Sequence, residues 1–134
     1  MTKEVSLHQL ADFASELAKN IIHPVVLLRG DLGAGKTTLV KEMVKALGSS
    51  DEVSSPTFGI VNELCFGNKT GYHMDLYRIE NPEELIQFGF EEYVHSGGYC
   101  FIEWPDIGLT HLPAHHHAIS IETLNTTTRK ITFT

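Results

Sequence analysis

Four residues in the stretch "GDLGAGKTT" have the chemistry to hold a phosphate. Gly30, Gly35, Lys36 and Thr37 fit the spacing G-x-x-x-x-G-K-[ST]. Glycines there let backbone N–H groups approach phosphate oxygens, and the start of a following helix adds positive partial charge. Lys36 has the reach for β- and γ-phosphates, and the Thr37 hydroxyl suits Mg²⁺. Such a site also needs a carboxylate near the metal. Two acids stand at the ends of strand-like runs. Glu103 closes the apolar run Tyr99, Cys100, Phe101, Ile102, and Asp75 closes the less apolar "GYHMD". Either acid can instead be read as a strand-end carboxylate paired with a surface lysine. Thr57, behind the stiffening Pro56 in "SSPTF", is a hydroxyl for the metal or γ-phosphate, or an ordinary turn threonine. Trp104 directly follows Glu103. That places its indole at the C-terminal edge of a sheet, where open α/β folds bind ligands.

Positioning these groups requires a strand before the glycine loop and a helix after it. Val25 to Arg29 is short, apolar and β-branched, as a central parallel strand is. After the loop, Leu39, Val40, Met43, Val44 and Leu47 form one helix face, and Gly48 is a natural stop. Upstream, Ser6 and Gln9 form a capping box for a helix whose apolar repeat runs from Leu7 to Ile21. "GIVNELCF" and "GYHMDLY" read as strands joined by "GNKTG". Asn81, Pro82 and Glu84 open another helix, and "YCFIEW" is a buried strand. "AISIETL" and "RKITFT", joined by "NTT", read as a terminal hairpin. The expected fold is α/β: a P-loop NTPase-like three-layer sandwich with a central mixed, mainly parallel sheet and a C-terminal antiparallel hairpin. One domain over residues 1–134 is expected, since no repeat or linker interrupts the sequence.

Composition narrows the function. Of 134 residues, 42% are hydrophobic and 20% charged, ordinary for a soluble domain. No apolar run is long enough to cross a bilayer, and "MTKEVSLHQL" lacks the apolar core of a signal peptide, so a cytoplasmic location without membrane contact is expected. Cys65 and Cys100 lie far apart in apolar, strand-like runs and read as packed thiols. The net charge is −7, and the ten lysines and arginines are scattered. Nucleic-acid affinity rests on such cations, so autonomous nucleic-acid binding is disfavoured and a role on RNA calls for a partner. The triplet His115 to His117 reads as a solvent-exposed strand start, because adjacent strand residues alternate faces and cannot all meet one ion.

Taken in order, "GDLGAGKTT", "SPTF", "HMDLYRI", "IEWPD", a following "LP" and a late arginine span nearly the whole chain. "GAGKT" alone is common to many NTPases, but its combination with "DLYR" and "EWP" is far more specific. In these motifs the chain resembles the TsaE family, small bacterial P-loop ATPases of tRNA threonylcarbamoyladenosine biosynthesis. The resemblance implies ATP and Mg²⁺ as ligands. It implies TsaD and TsaB as partners, which transfer the threonylcarbamoyl group to the adenosine beside the anticodon, with tRNA met only through that complex. ATP binding and hydrolysis would support turnover of the complex. By matching motif, Gly30, Asp31, Leu32, Gly33, Ala34, Gly35 and Lys36, with Thr38 beyond them, hold the phosphates, while Thr37 and Glu103 serve Mg²⁺. The resemblance further implies that Asp75 would assist hydrolysis and that Trp104 and Thr57 would line the site. Arg129 matches the family's late nucleotide-contacting arginine, and the residues around Ser6 match a segment that touches the nucleotide. Met74 stands where phenylalanine is frequent, and the histidine triplet matches no family feature.

Three other functions compete. A GTPase would carry N-K-x-D late in the chain, whereas "NKTG" comes early and ends in Gly71. A small-molecule or nucleotide kinase would use several arginines, and only Arg29, Arg78 and Arg129 are present. A nucleotide-gated binding module with negligible turnover has the same sequence features as a slow ATPase.

Overall fold

The computed structural model describes residues 1–53 and 60–134. Strand β2 (Val25–Gly30) is the axis of a seven-stranded sheet ordered β1-β7-β6-β2-β5-β4-β3. It pairs in parallel with β5 (Cys100–Glu103) and with β6 (His117–Thr123). Strand β4 (Lys69–Asp75) adds in parallel to β5. The flanks are antiparallel: β3 (Val61–Phe66) on β4, and β7 (Thr128–Phe133) then β1 (Thr2–Ser6) beyond β6. The mixed sheet with a parallel centre and a C-terminal hairpin is the architecture expected from the sequence.

Helices cover both faces, which is why β2 reads as a continuous apolar run. Val26, Leu28, Phe101 and Ile119 pack against α1 (Leu10–Lys19) and α2 (Lys36–Ala46) through Phe13, Leu17, Leu39, Val40 and Met43. Val25, Leu27, Cys100 and Ile102 face the opposite way, onto α3 (Pro82–Phe88) and α4 (Phe90–Val94) through Leu85, Phe90 and Val94. Burying each such large side chain is worth about 1.5–3 kcal/mol, so the two cores clamp the strand ends that carry the site. The α3 cap forms as its sequence predicts: the Asn81 side chain accepts from Glu83 N at 3.0 Å, and Glu84 accepts from Asn81 N at 3.0 Å.

Three expectations need correction. The first helix begins later and ends earlier than its apolar repeat: Leu7–Gln9 is a 3-10 turn, and α1 stops at Lys19. The Ser6 N–H still donates to Gln9 Oε1 at 3.1 Å. Cys65 is exposed, because β3 is an edge strand with one face in water, whereas Cys100 is buried and its thiol is pushed up to about 12 by that burial. The third concerns the histidines. His115 is exposed, but His117 is only 6% exposed. Its ring stacks on Phe133 at 4.8 Å.

His117 bridges distant backbone. Its Nε2 accepts from Ile22 N at 3.0 Å and His23 N at 3.1 Å, and its Nδ1 lies 3.1 Å from the Thr134 carbonyl. Burial lowers its pKa from 6.5; the Thr134 hydrogen bond opposes this, and the neighbouring His23 and His116 reinforce it. A folded-state pKa below the unfolded value gives stability that is present above about pH 6.5 and lost as pH falls toward the folded value. Thermal unfolding between pH 7.5 and 5 should therefore show a falling midpoint. His117→Gln, which keeps a donor and an acceptor without titrating, should flatten that dependence. An unchanged slope in the variant would remove His117 as its source.

Candidate functional site

The glycine loop runs from β2 into α2, and two of its glycines are required by local geometry. A Cβ on Gly30 would stand 2.8 Å from the Ile121 carbonyl of β6. Gly35, at the N-cap of α2, has φ 104°, which L side chains rarely adopt. The 11-residue α2 thus points its first-turn N–H groups along the loop, a natural anion cradle.

Lys36 is 5% exposed. Its ammonium donates to the Gly30 carbonyl and to the Asp31 carbonyl, the latter at 3.4 Å, and lies 3.8 Å from the Trp104 ring centroid. Burial lowers its pKa from 10.5, opposed by the charges of Glu103, Asp75 and Asp31. Trp104 itself has φ 54° and ψ 58°, a left-handed conformation that costs a non-glycine residue roughly 1–2 kcal/mol. Its ring meets Lys36 and, at 4.8 Å, Tyr77.

The parallel register of β4 and β5 sets Asp75 beside Glu103. Glu103 is 3% exposed and accepts from the Thr37 hydroxyl at 3.0 Å on Oε1 and 2.8 Å on Oε2. Asp75 Oδ1 accepts from Tyr77 N at 2.9 Å. A cleft of about 310 Å³ joins these groups: Leu32, Gly33, Gly35, Lys36, Thr37 and Thr38 on the loop side, Asp75, Glu103 and Trp104 opposite.

A second cavity of about 170 Å³ adjoins the loop through Gly33, Ala34, Gly35 and Thr38. Its far walls are Ser6, Leu7 and Leu10 on one side and Arg129 on the other. Arg129 Nε donates to the Ala34 carbonyl at 2.9 Å, fixing the guanidinium against the loop. Asp31 is exposed, and its carbonyl accepts from Ala34 N at 3.0 Å. A larger cavity of about 390 Å³ lies at the opposite end of β2 and β5, among Ile22, His23, Lys69 and Gly98, and contains none of these residues. Chemistry, rather than volume, marks the site.

Of the residues expected from sequence, Leu32, Gly33, Gly35, Lys36, Thr37, Thr38, Asp75, Glu103 and Trp104 converge on one cleft, Ala34 lines the adjoining cavity, and Gly30 and Asp31 line neither. Ser6 and Arg129 meet in the adjoining cavity. Thr57 lies outside the described residues. Sequence reasoning missed His73, whose Nε2 is 2.6 Å from Glu103 Oε2. The only signal was its spacing two residues before Asp75, which puts both on one face of a strand. The oxygen donors of Thr37 and Glu103 suit a hard cation such as Mg²⁺, which commonly takes one or two protein ligands and completes its shell with water and phosphate.

A sheet parallel at its centre, with a glycine loop, a buried lysine and a buried acid at the C-terminal ends of its strands, defines an α/β protein with a ready-made anion cradle. The family model "Threonylcarbamoyl adenosine biosynthesis protein TsaE" matches residues 4–131. The chain belongs to the TsaE family, whose members take part in threonylcarbamoyladenosine biosynthesis on tRNA. Two similar proteins carry the name tRNA threonylcarbamoyladenosine biosynthesis protein TsaE. That of Haemophilus influenzae is 42% identical over 98 residues, 73% of this chain and 62% of that protein. That of Bacillus subtilis is 43% identical over 110 residues, 82% of this chain and 68% of that protein. The match thus spans less than two thirds of the Haemophilus protein's length. A crystal structure of Bacillus subtilis YdiB superposes with a TM-score of 0.74 at 31% identity, covering 99% of this chain and 83% of that one. Among the described residues no helix is long and apolar enough to cross a membrane.

Proposed function

We propose that this chain is an ATPase, one domain over residues 1–134, that binds ATP with Mg²⁺ and hydrolyses it slowly in support of tRNA threonylcarbamoylation by TsaD and TsaB. The observation that carries this reading is the contact of Thr37 with Glu103 at the mouth of the glycine loop, with Asp75 beside it in register. The first-turn N–H groups of α2 and Lys36 bind the phosphates. The Lys36 ammonium, now on the Gly30 carbonyl, is freed to reach them. Thr37 and Glu103 hold Mg²⁺, which supplies charge neutralisation on the phosphates when bound. Asp75, in the same cleft with its carboxylate held by Tyr77 N, orients the attacking water. Trp104 shields the lysine, while Ser6 and Arg129 border the rest of the nucleotide.

The charge of −7, with only ten lysines and arginines scattered along the sequence, disfavours tRNA binding by this chain alone, so ATP serves protein partners and tRNA is met through them in the cytoplasm. Linkage then demands reciprocity: ATP tightens partner binding by the same factor that partners tighten ATP binding, typically about 5- to 150-fold. Affinity for the TsaB–TsaD pair should be highest with ATP, lower with ADP and without nucleotide, and the pair should stimulate hydrolysis. Equal affinity in all three states would refute the coupling. No turnover with or without the pair would leave a nucleotide-gated binding module instead.

A further inference from the structure

We infer that His73 is the positioning residue of Glu103: its Nε2–H holds Oε2 and so presents Oε1 toward the cleft. This deepens the Mg²⁺–ATP reading and rests on it. His73 sits on β4 and pairs in register with Phe101, so its side chain shares a sheet face with Asp75 and lies diagonal to Glu103. The ring is fully buried. Glu103 Oε2 takes two donors, His73 Nε2 at 2.6 Å and Thr37 Oγ1 at 2.8 Å. Oε1 takes Thr37 at 3.0 Å. The single proton of the Thr37 hydroxyl is shared between both oxygens, whereas His73 reaches Oε2 alone. Among the described contacts, His73 is the donor that distinguishes Oε2 from Oε1.

The other ring nitrogen fixes which tautomer does this. His73 Nδ1 is buried and finds no hydrogen-bond partner among the described residues. With the proton on Nε2, Nδ1 buries only a lone pair. With the proton on Nδ1, a donor would be buried unpaired and a lone pair would face a carboxylate oxygen at 2.6 Å. Leucine at this position would leave no orphaned nitrogen, so what the imidazole contributes here is made at Nε2. Carboxylates that ligate metals are in turn hydrogen-bonded from behind, which fixes their orientation.

The test measures ATP affinity with and without Mg²⁺ in wild type, His73→Leu and His73→Gln. Loss of such an outer partner commonly lowers metal affinity about 10- to 100-fold. In His73→Leu the Mg²⁺-dependent gain in ATP affinity should shrink by that order while metal-free ATP affinity stays at the wild-type value. A merely structural defect would lower both. His73→Gln, whose amide nitrogen reaches the place of Nε2, should keep most of the gain. An equal gain in wild type and His73→Leu would overturn the inference alone. No Mg²⁺-dependent gain in wild type would overturn the ATP–Mg²⁺ reading and this inference with it. Long-range ¹H–¹⁵N correlation of the imidazoles in wild type needs no variant to fold. It should show a His73 proton on Nε2, with and without Mg²⁺–ATP; a proton on Nδ1 alone would overturn the inference.

Discussion

Lys36→Ala should bind ATP about 10- to 100-fold more weakly, the worth of a charge-assisted hydrogen bond at roughly 1.5–3 kcal/mol. Hydrolysis should fall further, by about 10²–10³-fold or more, because charge on the phosphates grows toward the transition state. The fold should survive. Lys36 is the first residue of α2, where alanine is the best helix former, and the change removes an ammonium that is only 5% exposed. The stacking of the ammonium on Trp104 is lost as well, which is worth about 0.5–2 kcal/mol and partly offsets the relief of burial. Calorimetric titration with ATP and Mg²⁺, together with thermal unfolding, reads both effects. Unchanged affinity and turnover in a folded variant would sink the phosphate-cradle assignment.

The second large effect separates the two acids. Asp75→Asn should cut hydrolysis about 10²–10⁴-fold while ATP binding survives, as removal of a water-orienting carboxylate does. Glu103→Gln should leave metal-free ATP binding intact and weaken binding when Mg²⁺ is present. The structural reason for the split is their surroundings. Glu103 is buried against Thr37 and His73, whereas the Asp75 carboxylate, among the contacts described, accepts from Tyr77 N in its own turn. Binding curves with and without Mg²⁺, run beside a turnover assay, decide it. If Asp75→Asn abolishes the Mg²⁺ effect and Glu103→Gln preserves it, the two roles are exchanged.

The cradle was legible because it is local. Val25–Gly30, the loop and α2 are contiguous, and each residue type answers a short-range demand: β-branching for the strand, glycine at φ 104°, an apolar face on the helix. The α3 cap was legible for the same reason, since Asn81, Pro82 and Glu84 satisfy the free N–H groups of their own first turn. Glu103 and Asp75 could be nominated from the apolar runs before them, but their division of labour could not, because it depends on what packs behind each carboxylate.

Pairing over long sequence distances decided the rest. β1, with a largely polar sequence and one buried residue, Val5, exists because β7 supplies its hydrogen-bond partners from the far end of the chain. That pairing carries Ser6 and Arg129 to the loop together. The β4–β5 register, invisible in either segment, brings His73 to Glu103; a slip of one residue would turn His73 to the other face of the sheet. The exposure of Cys65 and the burial of His117 follow from strand order, edge in one case and interior in the other. By itself the sequence determined the glycine loop between strand and helix, the alternation of strands and helices and the pool of candidate acids, since these are set by neighbours along the chain. Only the tertiary structure decided which acid is gripped by a histidine, which terminal segments meet beside the glycine loop and which side chains meet water, because strand order and register are fixed by hydrogen bonds between residues far apart in sequence.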